Sequence, residues 1–223
     1  MKKILYSAMY GGYCYPFTHL AEKIVSVKDP EQMDNPDSLL VIWGGSDINP
    51  KYYGHKMSRT TSCYDSRDAL EWACIQRAIK LGIPMIGVCR GAQMMCAAAG
   101  GFLIQDVSNH AGSSHMCDTY DGSVIRVNSI HHQMMAGLED VEHELLAWSS
   151  RNLSTRYTWK DDVAYVPPAE FKEPEMVAFP KIKALAVQWH PEGMDDGSDA
   201  TKFVLAEYNL RFGVDVGTPA TSE

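Results

Sequence analysis

Cys89 stands in the stretch "MIGVCRGAQMM", residues 85–95, where an apolar run closes in Gly87-Val88, the thiol follows, and Gly91 precedes an Ala- and Met-rich segment. A buried strand that passes through a glycine-bounded turn into a helix presents a nucleophile at the edge of a sheet. The turn strains the backbone of the central residue, so its neighbours must be small. At the start of the following helix, unpaired N–H groups favour a thiolate, and the N–H of Arg90 can stabilise an oxyanion. The same residues also fit a small buried thiol in a glycine-rich turn, so chemistry requires a partner. "VQWHPEG" offers one. An imidazole at His190 can take and return a proton, and Glu192, two residues on across the stiff Pro191, can fix its tautomer. By itself this is equally a solvent-exposed His-Pro-Glu turn; with Cys89 it completes a nucleophile, base and orienting acid. A second oxyanion donor would come from Gly44-Gly45, which closes another apolar run, "SLLVIWGG".

These groups have to be carried by elements that meet at one edge. "SLLVIWGG" and "IPMIGVC" are continuous apolar runs, the pattern of strands buried on both faces of a parallel sheet. Lys2–Tyr10 reads as a first strand, and Phe17–Val25, with Leu20, Ile24 and Val25 on one side and Thr18 as a cap, reads as a short helix. "SRDALEWACIQRAIKLG" places Leu70, Cys74, Ala78 and Leu81 at helical spacing and ends at Gly82. "RGAQMMCAAAGG" is a second helix, Ala184–Gln188 a strand, and "GMDDGSDATKF" a loop leading to a helix cap. "GGSDINPKYYGH" is too rich in Gly, Asn and Pro for regular structure. Alternating strands and helices predict a single α/β domain over residues 1–212, with a mainly parallel sheet between helices. Residues 213–223 are expected to be a mobile tail.

The bounds agree with a globular catalyst. At 223 residues, 45% hydrophobic and 22% charged, the chain has the composition of a soluble domain. No apolar run approaches the roughly 18 residues of a membrane span, and the glycine-interrupted start has no signal-peptide core, so no membrane role and a cytoplasmic location are expected. A net charge of −8 excludes nucleic acid as a partner. The six cysteines form no CxxC pair. His110 and His115, five apart in a Gly/Ser-rich segment, do not match common zinc spacing, so neither metal nor organic cofactor is expected.

"GVCRGAQ", "VQWHPEG" and the GG loop resemble the class I glutamine amidotransferase-like superfamily, whose domain is three-layered and flavodoxin-like. "GGSDINPKYYG", the run from Arg67 to Asp106 and "VNSIHHQ" are similar to the γ-glutamyl-γ-aminobutyrate hydrolase branch of the C26 peptidases, over roughly Ser38 to Phe212. The resemblance implies Cys89 as nucleophile, His190 as base and acid, Glu192 as orienter, Gly45 and Arg90 as oxyanion donors, and Gln93 as the holder of the glutamyl end of the substrate. It sets Gly44 beside that group, while His131 and His132 fit either the border of that group or a packed, hydrogen-bonded pair. For Tyr53, with Tyr52, the sequence suggests a wall on the amine side. Arg67 and Asp68, at a helix start, fit either capping or substrate contact. The α/β-hydrolases fit worse, since their acid precedes the histidine by a long interval. The expected activity is hydrolysis of a γ-glutamyl amide through a thioester. The alternative is a glutaminase subunit that passes ammonia to a synthetase partner, and a homodimer stays open in either case.

Overall fold

The computed structural model describes residues 2–8, 14–195 and 197–213. Its strands are β1 (Lys2–Ala8), β2 (Ala21–Val27), β3 (Ser38–Ile42), β4 (Met85–Val88), β5 (Phe102–Ile104), β6 (Asp106–Val107), β7 (Ala111–Thr119), β8 (Val124–Ile130), β9 (Met134–Ala136), β10 (Glu144–Ser149), β11 (Tyr157–Thr158), β12 (Pro174–Phe179) and β13 (Ala184–Val187). The helices are α1 (Asp65–Leu81), α2 (Arg90–Ala99) and α3 (Asp199–Phe212). Nine strands form one sheet in the order β2-β1-β3-β4-β13-β12-β10-β7-β8. The β2-β1-β3-β4-β13 half is parallel throughout, and from β13 onward the sheet continues antiparallel through β12, β10, β7 and β8.

The expected three-layer α/β architecture follows from the double-sided burial of the central strands. Every residue of β3 and β4 is buried. Because side chains alternate across a strand, Leu39 and Val41 join Val204 and Tyr208 of α3 in one core. Leu40 and Ile42 join Cys74, Ile75 and Ala78 of α1 and Met94 and Met95 of α2 in the other. Helix α1 stops at Gly82, whose left-handed φ of 68° returns N–H groups to the carbonyls of Ala78 and Ile79. Helix α3 is capped by Ser198, which accepts the N–H of Thr201.

The short helix expected over Phe17–Val25 is not formed. Phe17–Leu20 makes one 3-10 turn and Ala21 begins an edge strand parallel to β1. Ile24, Val25 and Val27 are β-branched and gain more from pairing than from a short isolated helix, while Phe17 packs 5.8 Å from Trp43. The first strand is described to Ala8; positions 9 and 10 of its expected span, and the expected tail from 214 onward, lie outside the described residues. Among the described residues, no helix is long and apolar enough to cross a membrane.

Candidate active site

Cys89 is the N-cap of α2, at φ 51° and ψ −106°, a positive φ uncommon outside glycine. The strain is held in place by close packing: a Cβ added at Gly91 would run into the carbonyl of Ile42. The sulfur-bearing residue is thereby set at the carboxyl end of β4, between the ends of β3 and β13, where ligands bind in open α/β sheets. β13 leads directly into Gln188, Trp189 and His190. Trp189 is fully buried and anchors the turn. His190 Nδ1 lies 2.6 Å from Glu192 Oε1. Nδ1 therefore carries a proton that Glu192 accepts, and the other ring nitrogen is the one available to the thiol of Cys89.

The sequence-predicted triad is thus assembled at one sheet edge. Burial pulls the His190 imidazole down, but hydrogen bonding to Cys89 and Glu192, with their negative charge, outweighs it and raises the group to about 10. The imidazole consequently holds its proton between thiol and carboxylate at neutral pH. Gly44 lies against the same ring; a Cβ there would stand 2.6 Å from His190 Cε1 and 3.4 Å from Cys89 Cβ.

The Gly44-Gly45 loop is braced from behind. Arg67 Nη2 donates to the carbonyls of Trp43 (3.2 Å) and Gly44 (2.9 Å), and its Nε donates to Glu71 at 2.9 Å. Arg90 turns its side chain into the same buried network, pairing with Asp68 and Glu71. Its side chain thus turns away from the cavity, and its backbone N–H lies at the start of α2. Asp68 Oδ2 also accepts the N–H of Asn49 at 2.8 Å. Of the two readings for Arg67 and Asp68, the geometry realises the structural one. Two cations and two carboxylates tie α1 to α2 and to the GG loop.

A cavity of about 370 Å³ opens over Cys89, lined by Trp43, Gly44, Gly45, Cys89, Ile130, His190 and Glu192. A larger opening, about 560 Å³, lies at the opposite edge of the sheet around Lys2, Pro84 and Lys183. It has no nucleophile, so the smaller cavity is the one with the means for chemistry. Several expected substrate contacts lie elsewhere. Tyr52 stacks on Trp72 with centroids 4.8 Å apart, and Tyr53 meets His55 edge-on; neither lines the cavity, because the 3-10 turn Pro50–Tyr53 packs toward α1 and α2. Gln93 is buried, its Nε2 donating to the Gln133 carbonyl at 3.1 Å and lying 3.4 Å from Gln188 Oε1. His132 sits between Asp47 (3.0 Å) and Asp106 (3.4 Å). The Asp47 hydrogen bond raises its affinity for a proton. His131 is buried against Glu175 rather than facing the crevice.

Asn128 and Ile130 were not anticipated. Asn128 of β8 clamps the backbone of His190, donating from Nδ2 to its carbonyl (2.9 Å) and accepting its N–H at Oδ1 (2.8 Å). Ile130, 61% exposed, and Trp43 form the apolar wall of the cavity. Asn128 and Ile130 lie inside "VNSIHHQ", and that stretch was the one sequence signal for them.

With its strand-turn-helix thiol and its His-Glu pair on a neighbouring strand end, the chain is similar to proteins of the class I glutamine amidotransferase-like superfamily. Residues 26–124 match the Peptidase C26 family model. A glutamine amidotransferase-like protein of Lactococcus lactis, YvdE, is 29% identical over 193 residues, covering 76% of this chain and 73% of that one. Two further curated relatives, from Mycobacterium tuberculosis and Schizosaccharomyces pombe, are spanned over only 33% and 62% of their lengths. Among solved structures, a glutamine amidotransferase from Thermotoga maritima has a TM-score of 0.54 at 15% identity, covering 94% of this chain and 84% of its own. The glutaminase domain of CTPS from Trypanosoma brucei, solved with acivicin, has a TM-score of 0.55 at 14% identity, covering 99% and 98%. At such identities these structures speak for the fold. The family-model match and these relatives support a hydrolase function of the glutamine-amide type.

Proposed function

We propose that this chain is a self-sufficient cytoplasmic hydrolase of γ-glutamyl amides, with no metal or organic cofactor in its catalytic cycle. Cys89 attacks the amide carbonyl, the N–H groups of Gly45 and Arg90 receive the oxyanion, and His190 protonates the departing amine. Water, deprotonated by His190, then cleaves the γ-glutamyl thioester. The observation that supports this reading over a partner-dependent glutaminase is the brace on the GG loop: Arg67, from the chain's own α1, holds the carbonyls of Trp43 and Gly44. A glutaminase that feeds a synthetase is expected to assemble its oxyanion site only when the partner docks.

The alternative draws on relatives that work with synthetases, among them a carbamoyl phosphate synthase small chain 24% identical over 102 residues. A release assay on the isolated chain separates the two, comparing glutamine with γ-glutamyl amides of several amines. The hydrolase reading expects turnover without a partner and a preference for substituted amides, whose amine half gains apolar contact with Trp43 and Ile130. An isolated chain inert on every amide, yet active on glutamine when a synthetase is added, would establish the alternative.

A further inference from the structure

A second cluster of reactive side chains lies in the antiparallel half of the sheet, away from the catalytic cavity. His110 stands just before β7, His131 just after β8, and Glu175 in β12; their side chains are 0%, 1% and 0% exposed. His110 Nε2 is 3.0 Å from Glu173 Oε2. That carboxylate is itself fixed by the N–H groups of Leu153 (2.7 Å) and Ser154 (2.9 Å) and by the Tyr157 hydroxyl (2.8 Å). A carboxylate held this way takes the imidazole N–H, so in the neutral ring His110 Nδ1 carries the lone pair, 3.4 Å from Glu175 Oε1. His131 repeats the pattern. Its Nδ1 lies 3.0 Å from the Gln133 carbonyl, which can only accept, so Nε2 carries the lone pair, 3.6 Å from the same Glu175 oxygen.

With both rings neutral, three acceptors thus converge. All lie within 4.8 Å of one another, and none of the three has a hydrogen-bond partner. Buried acceptors in this state need a cation among them. Bonds of about 2.0–2.2 Å from such ligands to one ion would set neighbouring ligand atoms about 3.3 Å apart, close to the separations seen. Each ring also has its other nitrogen bound to a carboxylate or a carbonyl, the outer support that orients metal-ligating histidines.

We propose that His110 Nδ1, His131 Nε2 and Glu175 form a structural site for a divalent first-row transition ion of the zinc type. The fourth position falls to water, because His115, whose Nε2 is 3.0 Å from Glu175 Oε1, belongs to an adjoining group with Cys117 and not to that of His110 and His131. With the triad buried, the ion enters as the chain folds. It pins the end of β8 to β12 and so steadies Ile130 at the cavity wall, and it is linked to α2 because the Gln133 carbonyl that receives His131 also receives Gln93.

The test is metal content. Tag-free protein, expressed with added zinc and dialysed against metal-free buffer, is expected to retain about one zinc per chain by plasma mass spectrometry. Refolding from denaturant and chelator with Co(II) should give the visible absorption of a tetrahedral site. Glu175→Gln and His110→Gln should each lower zinc occupancy about tenfold or more, whereas His143→Gln, on another surface, should not. Because those variants risk failing to fold, wild-type chain refolded with zinc or with magnesium provides an independent reading: zinc alone should raise Tm. Wild-type protein holding less than about a tenth of an equivalent, with no cobalt spectrum after refolding, would overturn the proposal and leave the triad held by protons on its imidazoles. Zinc retained undiminished by folded Glu175→Gln would overturn it equally.

Discussion

Each member of the candidate triad has a distinct electrostatic task, and the consequences of removing them differ accordingly. Cys89→Ala removes the atom that forms the thioester and should abolish turnover. His190→Ala removes both base and acid and should lower kcat by about 10⁴-fold, while Glu192→Gln, which leaves an acceptor 2.6 Å from Nδ1 but without its charge, should cost about 10²-fold. Steady-state kinetics with a γ-glutamyl amide reads all three, and wild-type rates in Cys89→Ala would end the nucleophile assignment. His190 also sets a pH limit. Its raised affinity keeps the proton until pH passes about 10. Above that the departing amine has no acid, so kcat/KM should fall on an alkaline limb near this value. A limb near the ordinary histidine range instead would mean that the thiol and carboxylate do not hold the proton in solution.

At the scale of elements, the site depends on how α1, α2 and β8 are fastened to each other. Arg90 is 1% exposed between Asp68 and Glu71, both fully buried. Arg90→Ala leaves two carboxylates facing each other without their shared cation and should destabilise the fold by about 3–5 kcal/mol, measured by urea unfolding. A change under about 1 kcal/mol would show that Arg67 alone neutralises the pair. Asn128 acts through position only, since it binds the backbone of His190 at two points. Asn128→Ala should lower kcat about 10-fold with KM nearly unchanged, because it loosens the imidazole and leaves the cavity wall intact. A rise in KM with constant kcat would place Asn128 in substrate binding instead.

For the whole molecule, six thiols share one chain and only one is set for reaction. Burial pushes the thiols of Cys74 and Cys96 up to about 12, and raises those of Cys14 and Cys117 as well. Cys63, the most accessible competitor, is raised by burial and then by Asp68, Asp65 and Asp47. Cys89 alone lines the cavity beside an imidazole at a helix N-terminus. Iodoacetamide near neutral pH should therefore label Cys89 first, as read by peptide mass spectrometry, with inactivation tracking that label. Preferential labelling of Cys63 with activity retained would contradict it.

What the sequence by itself determined is what local pattern can encode. Glycines around a thiol make a tight turn, continuous apolar runs make strands buried on both faces, and His-Pro-Glu holds its own two side chains together because they are two residues apart. These features placed β3, β4, α1, α2, β13 and the triad. Other outcomes belonged to the tertiary structure because their causes are distant in the chain. Whether Ala21–Val27 is helix or strand was decided by the edge of β1 that it could pair with. Tyr53, Gln93, His131 and His132 were all drawn from chemistry-bearing stretches. Packing turned each toward α1, Gln133, Glu175 and Asp47 respectively, and spacing along a chain carries no record of which way a side chain will face. Asn128 reaches His190 across 62 positions, and the His110, His131 and Glu175 cluster is gathered from three strand ends. Such convergences exist only once antiparallel pairing has brought β7, β8 and β12 into one sheet.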